Sequence, residues 1–158
     1  MIHSVRCILS ALRKDDLEPF VRLRTDADVM CYLGGQRDEV TERKNLDRLL
    51  DSGSKNPVWA IRSGEDSSFI GIITLTPHHD GEDIEISYLL LPEWWGQGYG
   101  TEAVRAIIDH GLNNLNLPRI VAETQTANTA SVRLLKRVGM TLERKVMRFG
   151  AEQSVYTT

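Results

Sequence analysis

From Gly96 to Thr101 the chain reads Gly-Gln-Gly-Tyr-Gly-Thr, a glycine at every second position. Such a run leaves no β-carbons to hold a ligand away from the backbone. Its successive amides, with the first N–H groups of a following helix, would form a positive concavity suited to phosphate. The plain alternative is a tight turn between strand and helix, and short glycine motifs also arise by chance. A dinucleotide reading has some support, because Glu123 ends an apolar run roughly twenty residues on, where such folds place a ribose-binding acid. Against it, the glycines are spaced G-x-G-x-G-T and follow three antiparallel-looking strands, not the first strand of a βαβ unit. His78-His79 invites a metal, but adjacent side chains in a turn seldom share a site, and no metal is expected. Cys7 and Cys31 lie outside the glycine unit, and either would serve as a nucleophile only with a base beside it. They read as small reduced hydrophobes.

The elements that must position the loop follow from periodicity. Arg6 to Leu12 reads as a strand, and Asp15-Asp16 open a helix with Leu17, Phe20 and Val21 on one face and Pro19 in its first turn. Asp26 to Leu33 is a second helical piece closed by Gly34-Gly35. Asp38 to Asp51 is a polar helix with Val40, Leu46, Leu49 and Leu50 as its apolar contacts, stopped near Gly53. Strands are expected over Val58 to Arg62, Phe69 to Leu75 and Ile84 to Leu91, with a turn at Asp80-Gly81. Alternation in the third puts Ile84, Ile86, Tyr88 and Leu90 on one face and Glu85, Ser87, Leu89 and Leu91 on the other. The glycine loop then opens a helix carrying Ala103, Val104, Ile107, Ile108 and Gly111. Arg119 to Thr124 is a strand, and Asn128 and Thr129 are N-cap candidates for a helix closed by Gly139. Two strands, Thr141 to Phe149 and Gln153 to Tyr156, end the chain. The order β-α-α-α-β-β-β-α-β-α-β-β describes an α/β (α+β) domain with helices over a mixed, mostly antiparallel sheet.

Composition sets the remaining bounds. The 158 residues suit one compact domain spanning 1–158, with 41% hydrophobic and 26% charged residues and a formal charge of -3. No Lys/Arg-rich run is present, so nucleic acid is not an expected partner. The N-terminus lacks the apolar run of a signal peptide, and the longest apolar stretches are strand-sized, so neither export nor a membrane is expected. A cytoplasmic location follows, and a homodimer is left open.

The segment Glu85-Ile86-Ser87-Tyr88-Leu89-Leu90-Leu91-Pro92-Glu93-Trp94-Trp95-Gly96-Gln97-Gly98-Tyr99-Gly100-Thr101-Glu102-Ala103 resembles motif A of the GNAT acetyltransferases. Within that family it is similar to the branch of the ribosomal-protein N-terminal acetyltransferases. Asn128-Thr129-Ala130-Ser131, with Leu134-Leu135 and Gly139-Met140, resembles motif B. The element order fits the GNAT fold from about Arg6 to Tyr156.

The resemblance implies transfer of an acetyl group from acetyl-CoA to a primary amine, on a small molecule or a protein N-terminus, by direct attack in a ternary complex. Gly96, Gln97, Gly98, Tyr99, Gly100 and Thr101 would hold the pyrophosphate through backbone amides. Tyr88, Leu89 and Leu90 would pair with the pantetheine as a strand does, their N–H groups serving the oxyanion. Asn128 would bond the pantetheine arm, and Ser131 would lie near the sulfur. Glu85 stands where the family often carries an acid and is the candidate base, a solvated strand charge being the plain alternative. The chain departs from the family pattern at Leu135, where many members have a tyrosine, and at Trp95, where many have Gln or Arg. The first departure keeps a second function open, that of a non-catalytic acyl-CoA sensor.

Overall fold

The computed structural model describes residues 1–51 and 57–158. The strands are β1 (Ile2–His3), β2 (Cys7–Ala11), β3 (Val58–Ser63), β4 (Phe69–Pro77), β5 (Ile84–Leu90), β6 (Ile120–Gln125), β7 (Thr141–Arg148) and β8 (Ala151–Thr157). The helices are α1 (Leu17–Thr25), α2 (Ala27–Met30), α3 (Glu39–Asp51), α4 (Tyr99–Asn113) and α5 (Thr129–Arg137). One mixed sheet runs in the order β1-β2-β3-β4-β5-β6-β8-β7. Every neighbouring pair is antiparallel except β5 with β6. The expected α/β class and element order hold, with β1 as an added strand too short to carry a periodic signal.

Local chemistry explains the helix ends. Asp26 Oδ1 accepts from the N–H groups of Asp28 and Val29, both at 2.9 Å, and starts α2. That helix closes at Met30 and gives way to turns, earlier than the expected Leu33. Asp38 Oδ2 caps α3 through the Thr41 N–H at 2.8 Å. The stop expected near Gly53 lies outside the described residues. Val40, expected as an apolar contact of α3, is exposed, because the buried side of that helix runs through Glu42 and Leu46 instead. Asn128 caps α5, and Gly139, at φ +94°, ends it.

The sheet has a core on each face. On one, α4 and α5 lay Ala103, Val104, Ile107 and Leu135 over Ile73, Ile86 and Ile120. On the other, α1, α2 and α3 lay Phe20, Leu23, Met30 and Leu46 over Ile72 and Leu91. The alternation read in β5 is the one found: Ile84, Ile86, Tyr88 and Leu90 join the first core, and Leu89 and Leu91 the second. Among the described residues, no helix is long and apolar enough to cross a membrane.

Candidate active site

The site begins where the sheet comes apart. β5 pairs with β4 along its whole length, from Ile84 against Pro77 to Leu90 against Gly71. On its other edge it pairs with β6 only at Ile84–Ile120 and Glu85–Val121. Beyond Glu85 the two strands are no longer paired, while β6 continues on its other edge with β8 as far as Gln125. The edge of β5 from Ile86 to Leu90 therefore faces an opening, and its outward backbone groups, apart from the Leu90 carbonyl that Trp95 takes, are available to an extended ligand.

The glycine loop lies beyond the C-terminal end of that edge. Gly96 (φ +72°) and Gly98 (φ +88°) hold left-handed conformations, with Gly98 as the N-cap of α4. No side chain caps this helix, which leaves its first-turn N–H groups free for an anion. A β-carbon on Gly96 would meet nothing within 4 Å, and one on Gly98 would meet only Arg6 Nη2 at 3.2 Å. At Gly100 the missing β-carbon makes room for Leu134 Cδ1, at 3.0 Å, and so also serves the packing of α4 on α5. Arg6 braces the loop from the start of β2: Nε pairs with Glu102 at 3.1 Å, Nη2 donates to the Gln97 carbonyl at 3.1 Å, and the guanidinium lies 4.5 Å from the Tyr99 ring centroid. Trp95, at the departing motif position, donates Nε1 to the Leu90 carbonyl at 2.8 Å and so ties loop to strand. Arg137 of α5 reaches Thr101 Oγ1 at 3.4 Å, while Arg133 and Lys136 are exposed.

The remaining candidates fall on opposite sides of the opening. On the helix side, Tyr88 Oη and Ser131 Oγ share a hydrogen bond of 2.7 Å. Asn128 Oδ1 accepts from the Ser131 N–H at 3.2 Å, so its cap role is real. Burial pushes the Tyr88 phenol up to about 12, against the opposing pull of its bond to Ser131. On the other side, Glu85 occupies the last paired position before the split. Burial raises its carboxyl above the ordinary glutamate range, with Glu123 adding to this and His78 opposing.

Sequence reasoning considered Glu123 only as the acid of a dinucleotide fold, the reading it set aside. Two positions beyond Val121 on β6, it shares the face of Glu85 and points away from α4, which removes the dinucleotide reading's ribose-binding acid. The period-two alternation of β6 was the signal that could have found it. His78 Nε2 lies 2.8 Å from Glu123 Oε2 and His79 Nε2 3.5 Å from it, with the two rings stacked. The adjacent histidines thus do converge on one carboxylate, contrary to expectation, and their ligand atoms lie close enough to surround a cation. The hydrogen bonding works against that use. The Asp80 N–H donates to His78 Nδ1 at 3.3 Å, which leaves the proton on Nε2, where it is given to Glu123. Arg148 Nε, 3.0 Å from Glu123 Oε1, adds a positive charge at the same spot. The cluster is an ionic tie between the β4–β5 turn and β6. Cys7 is buried and Cys31 exposed, so only the first fits the small-hydrophobe reading.

Residues 6–141 match the acetyltransferase (GNAT) domain model. The chain belongs to the GNAT acetyltransferase family. As a member of it, it is an N-acetyltransferase. It is similar to the uncharacterized N-acetyltransferase p20 of Bacillus licheniformis, with 31% identity over 84% of this chain and 79% of the relative. In three dimensions it resembles a GNAT-family acetyltransferase of Bacillus anthracis, at a TM-score of 0.87 and 24% identity over 99% and 96% of the two chains. It also resembles a spermidine N-acetyltransferase of Vibrio cholerae solved with CoA and spermine, at 0.78 and 20% identity over 96% and 93%.

Proposed function

We propose that the chain binds acetyl-CoA in the opening between β5 and β6 and transfers the acetyl group directly to a primary amine. The observation that carries this reading is the split itself. It has an uncapped, glycine-lined helix start at one end and a desolvated carboxylate, Glu85, at its apex. The residues present fit the coenzyme: the Gly96 side of the loop is open, and the β5 edge runs unpaired toward Glu85. Acetyl-CoA supplies an activated thioester carbonyl. The amides of Gly96 to Thr101 hold its phosphates, the edge of Tyr88, Leu89 and Leu90 aligns the pantetheine, and Asn128 and Ser131 close over it from α5.

Glu85 takes the proton that an ammonium must lose before it can attack. It stands on the face opposite Ser131, so amine and coenzyme enter from the two sides and meet in the split. No acyl-enzyme is needed. The whole chain, 1–158, acts as one catalytic domain in the cytoplasm. The acceptor is a small cationic amine. The spermine in the Vibrio cholerae structure and the carboxylate Glu85 at the apex of the split support that choice over a ribosomal-protein N-terminus.

Thermal unfolding with added ligand tests the reading. A ligand held only by the native state at a hundredfold excess over Kd stabilises it by about 2.7 kcal/mol. For a chain of this size that is a rise in Tm of roughly 5–11 °C. Acetyl-CoA is expected to give this shift and NAD none; the reverse pattern would sink the proposal. An amine screen with free-thiol detection then separates enzyme from sensor.

A further inference from the structure

An acetyl transfer that ends with a sulfur leaving needs something to meet the charge on that sulfur. The family's usual place for a hydroxyl on the motif B helix holds Leu135, whose side chain is 1% exposed and packed in the core. Two hydroxyls meet on the helix side of the split, those of Tyr88, on β5, and Ser131, on α5. They bridge the strand and the helix at 2.7 Å, beside the part of the β5 edge that β6 has left. Ser131 is fixed at the helix start by the Asn128 cap. A phenol carries one proton and can accept as well as donate. If Ser131 donates to Tyr88, the phenolic proton is free to point into the opening.

We propose that Tyr88 is the catalytic residue that receives the departing sulfur, donating a hydrogen bond to a coenzyme that leaves as the thiolate, with Ser131 as its positioning residue. This rests on the acetyltransferase reading above. The direction of proton flow decides between donor and acid. Burial holds the Tyr88 phenol near 12, while an ordinary alkyl thiol titrates near ~8.5. The proton therefore stays on oxygen, and Tyr88 stabilises the thiolate without protonating it. The balance closes without an acid. Glu85 removes one proton from the ammonium, and the nitrogen lone pair forms the C–N bond. The C–S bond breaks with its electron pair on sulfur, and the second nitrogen proton leaves to water. Ser131, by donating to the phenol oxygen, strengthens the bond that Tyr88 gives.

The readout is the titration of the CoA thiol in its complex with the protein, followed by the ultraviolet absorbance of the thiolate. A hydrogen bond to a charged group, lost in Tyr88→Phe, is expected to raise the bound thiol's pKa by about one to two pH units over that in the wild-type complex. Ser131→Ala is expected to lie between them. In turnover with an identified amine, Tyr88→Phe is expected to lose roughly 10–100-fold in kcat with the KM for acetyl-CoA unchanged. Equal thiol pKa values in the wild-type and Tyr88→Phe complexes overturn the proposal, as does a lowered CoA affinity with no change in that pKa. Should Tyr88→Phe fail to hold CoA, Ser131→Ala decides: a bound thiol titrating as in the wild type overturns it. A wild type that binds no CoA overturns the acetyltransferase reading itself, a result distinct from either.

Discussion

At the scale of single residues, the two sides of the split divide the chemistry. Glu85 is half-buried at the apex, and its carboxyl is raised by that burial. A raised carboxyl makes a better base near neutrality but is inactive while protonated. Activity is therefore expected to rise with pH through a value above the ordinary glutamate range of about 4.3. In Glu85→Gln that acid limb should vanish and kcat should fall by roughly 10²–10⁴-fold, with the deficit narrowing at high pH, where solvent deprotonates the amine. Steady-state rates across pH check this; wild-type rates at every pH would make the carboxylate structural. Stability should move the opposite way. The folded pKa lies above the unfolded one, so the stability Glu85 contributes is full at low pH and is lost as pH rises through the folded value. Glu85→Gln is expected to remove that loss, so base function here opposes stability. The residues of the phosphate loop were legible in the sequence because backbone chemistry depends on glycine spacing. The partnership of Tyr88 with Ser131 was not, because the two lie far apart in the chain and the alternation of β5 says only which face Tyr88 takes. Glu123 gained no role from the sequence beyond a dinucleotide reading that was set aside, because its distance from the loop was weighed and its face was not.

At the scale of elements, what positions the site is how β4 holds β5 in place. Gly71 pairs with Leu90, and a β-carbon there would fall on the Leu89 carbonyl and 2.9 Å from Leu90 Cα. These are backbone atoms of the strand that lines the opening, so no rotamer change can relieve the clash. Gly71→Ala is expected to cost about 1–3 kcal/mol through overpacking. It should also weaken acetyl-CoA binding, because the displaced segment is the one proposed to align the pantetheine. Denaturant midpoint and calorimetric titration read the two effects, and a stable variant with unaltered affinity would show that β5 tolerates displacement. The sequence identified β4 and β5 through their β-branched runs and turn residues, but it offered no sign that β5 and β6 separate after two residue pairs. Beyond those pairs β6 keeps only its partner on the other edge, β8, a pairing between segments that no local pattern encodes. β1 escaped notice for a related reason: a two-residue strand exists only through its partner, β2.

At the scale of the whole molecule, the sheet must keep two cores in register while a ligand enters from one side and an acceptor from the other. The face that carries α1 to α3 is tied to the sheet by a buried ion pair. Arg62 of β3 donates Nη2 to Asp16 Oδ2 at 2.7 Å and Nε to Ser10 Oγ at 2.9 Å, and the Arg13 N–H donates to Asp16 Oδ2 at 2.7 Å. The two charged side chains are only 7% and 4% exposed. This pair fixes the turn that starts α1 against β3, and through α1 the surface on which Leu89 and Leu91 rest. Burying two charges gains little over a well-packed apolar pair, but removing one partner strands the other in a low-dielectric interior. Asp16→Ala is therefore expected to cost roughly 3–5 kcal/mol, a fall in Tm of roughly 6–20 °C. The double variant Asp16→Leu with Arg62→Met should recover most of that loss, since no charge is left unpaired. Because the pair lies away from the split, the double variant should bind acetyl-CoA as the wild type does. Matched denaturation curves and titrations of the single and double variants measure both terms. If the double variant is no more stable than Asp16→Ala, the tie matters for the geometry it imposes on α1 and not for the charge it neutralises. Acetyl-CoA affinity would then fall with stability, because the helices on the acceptor side would no longer seat β5.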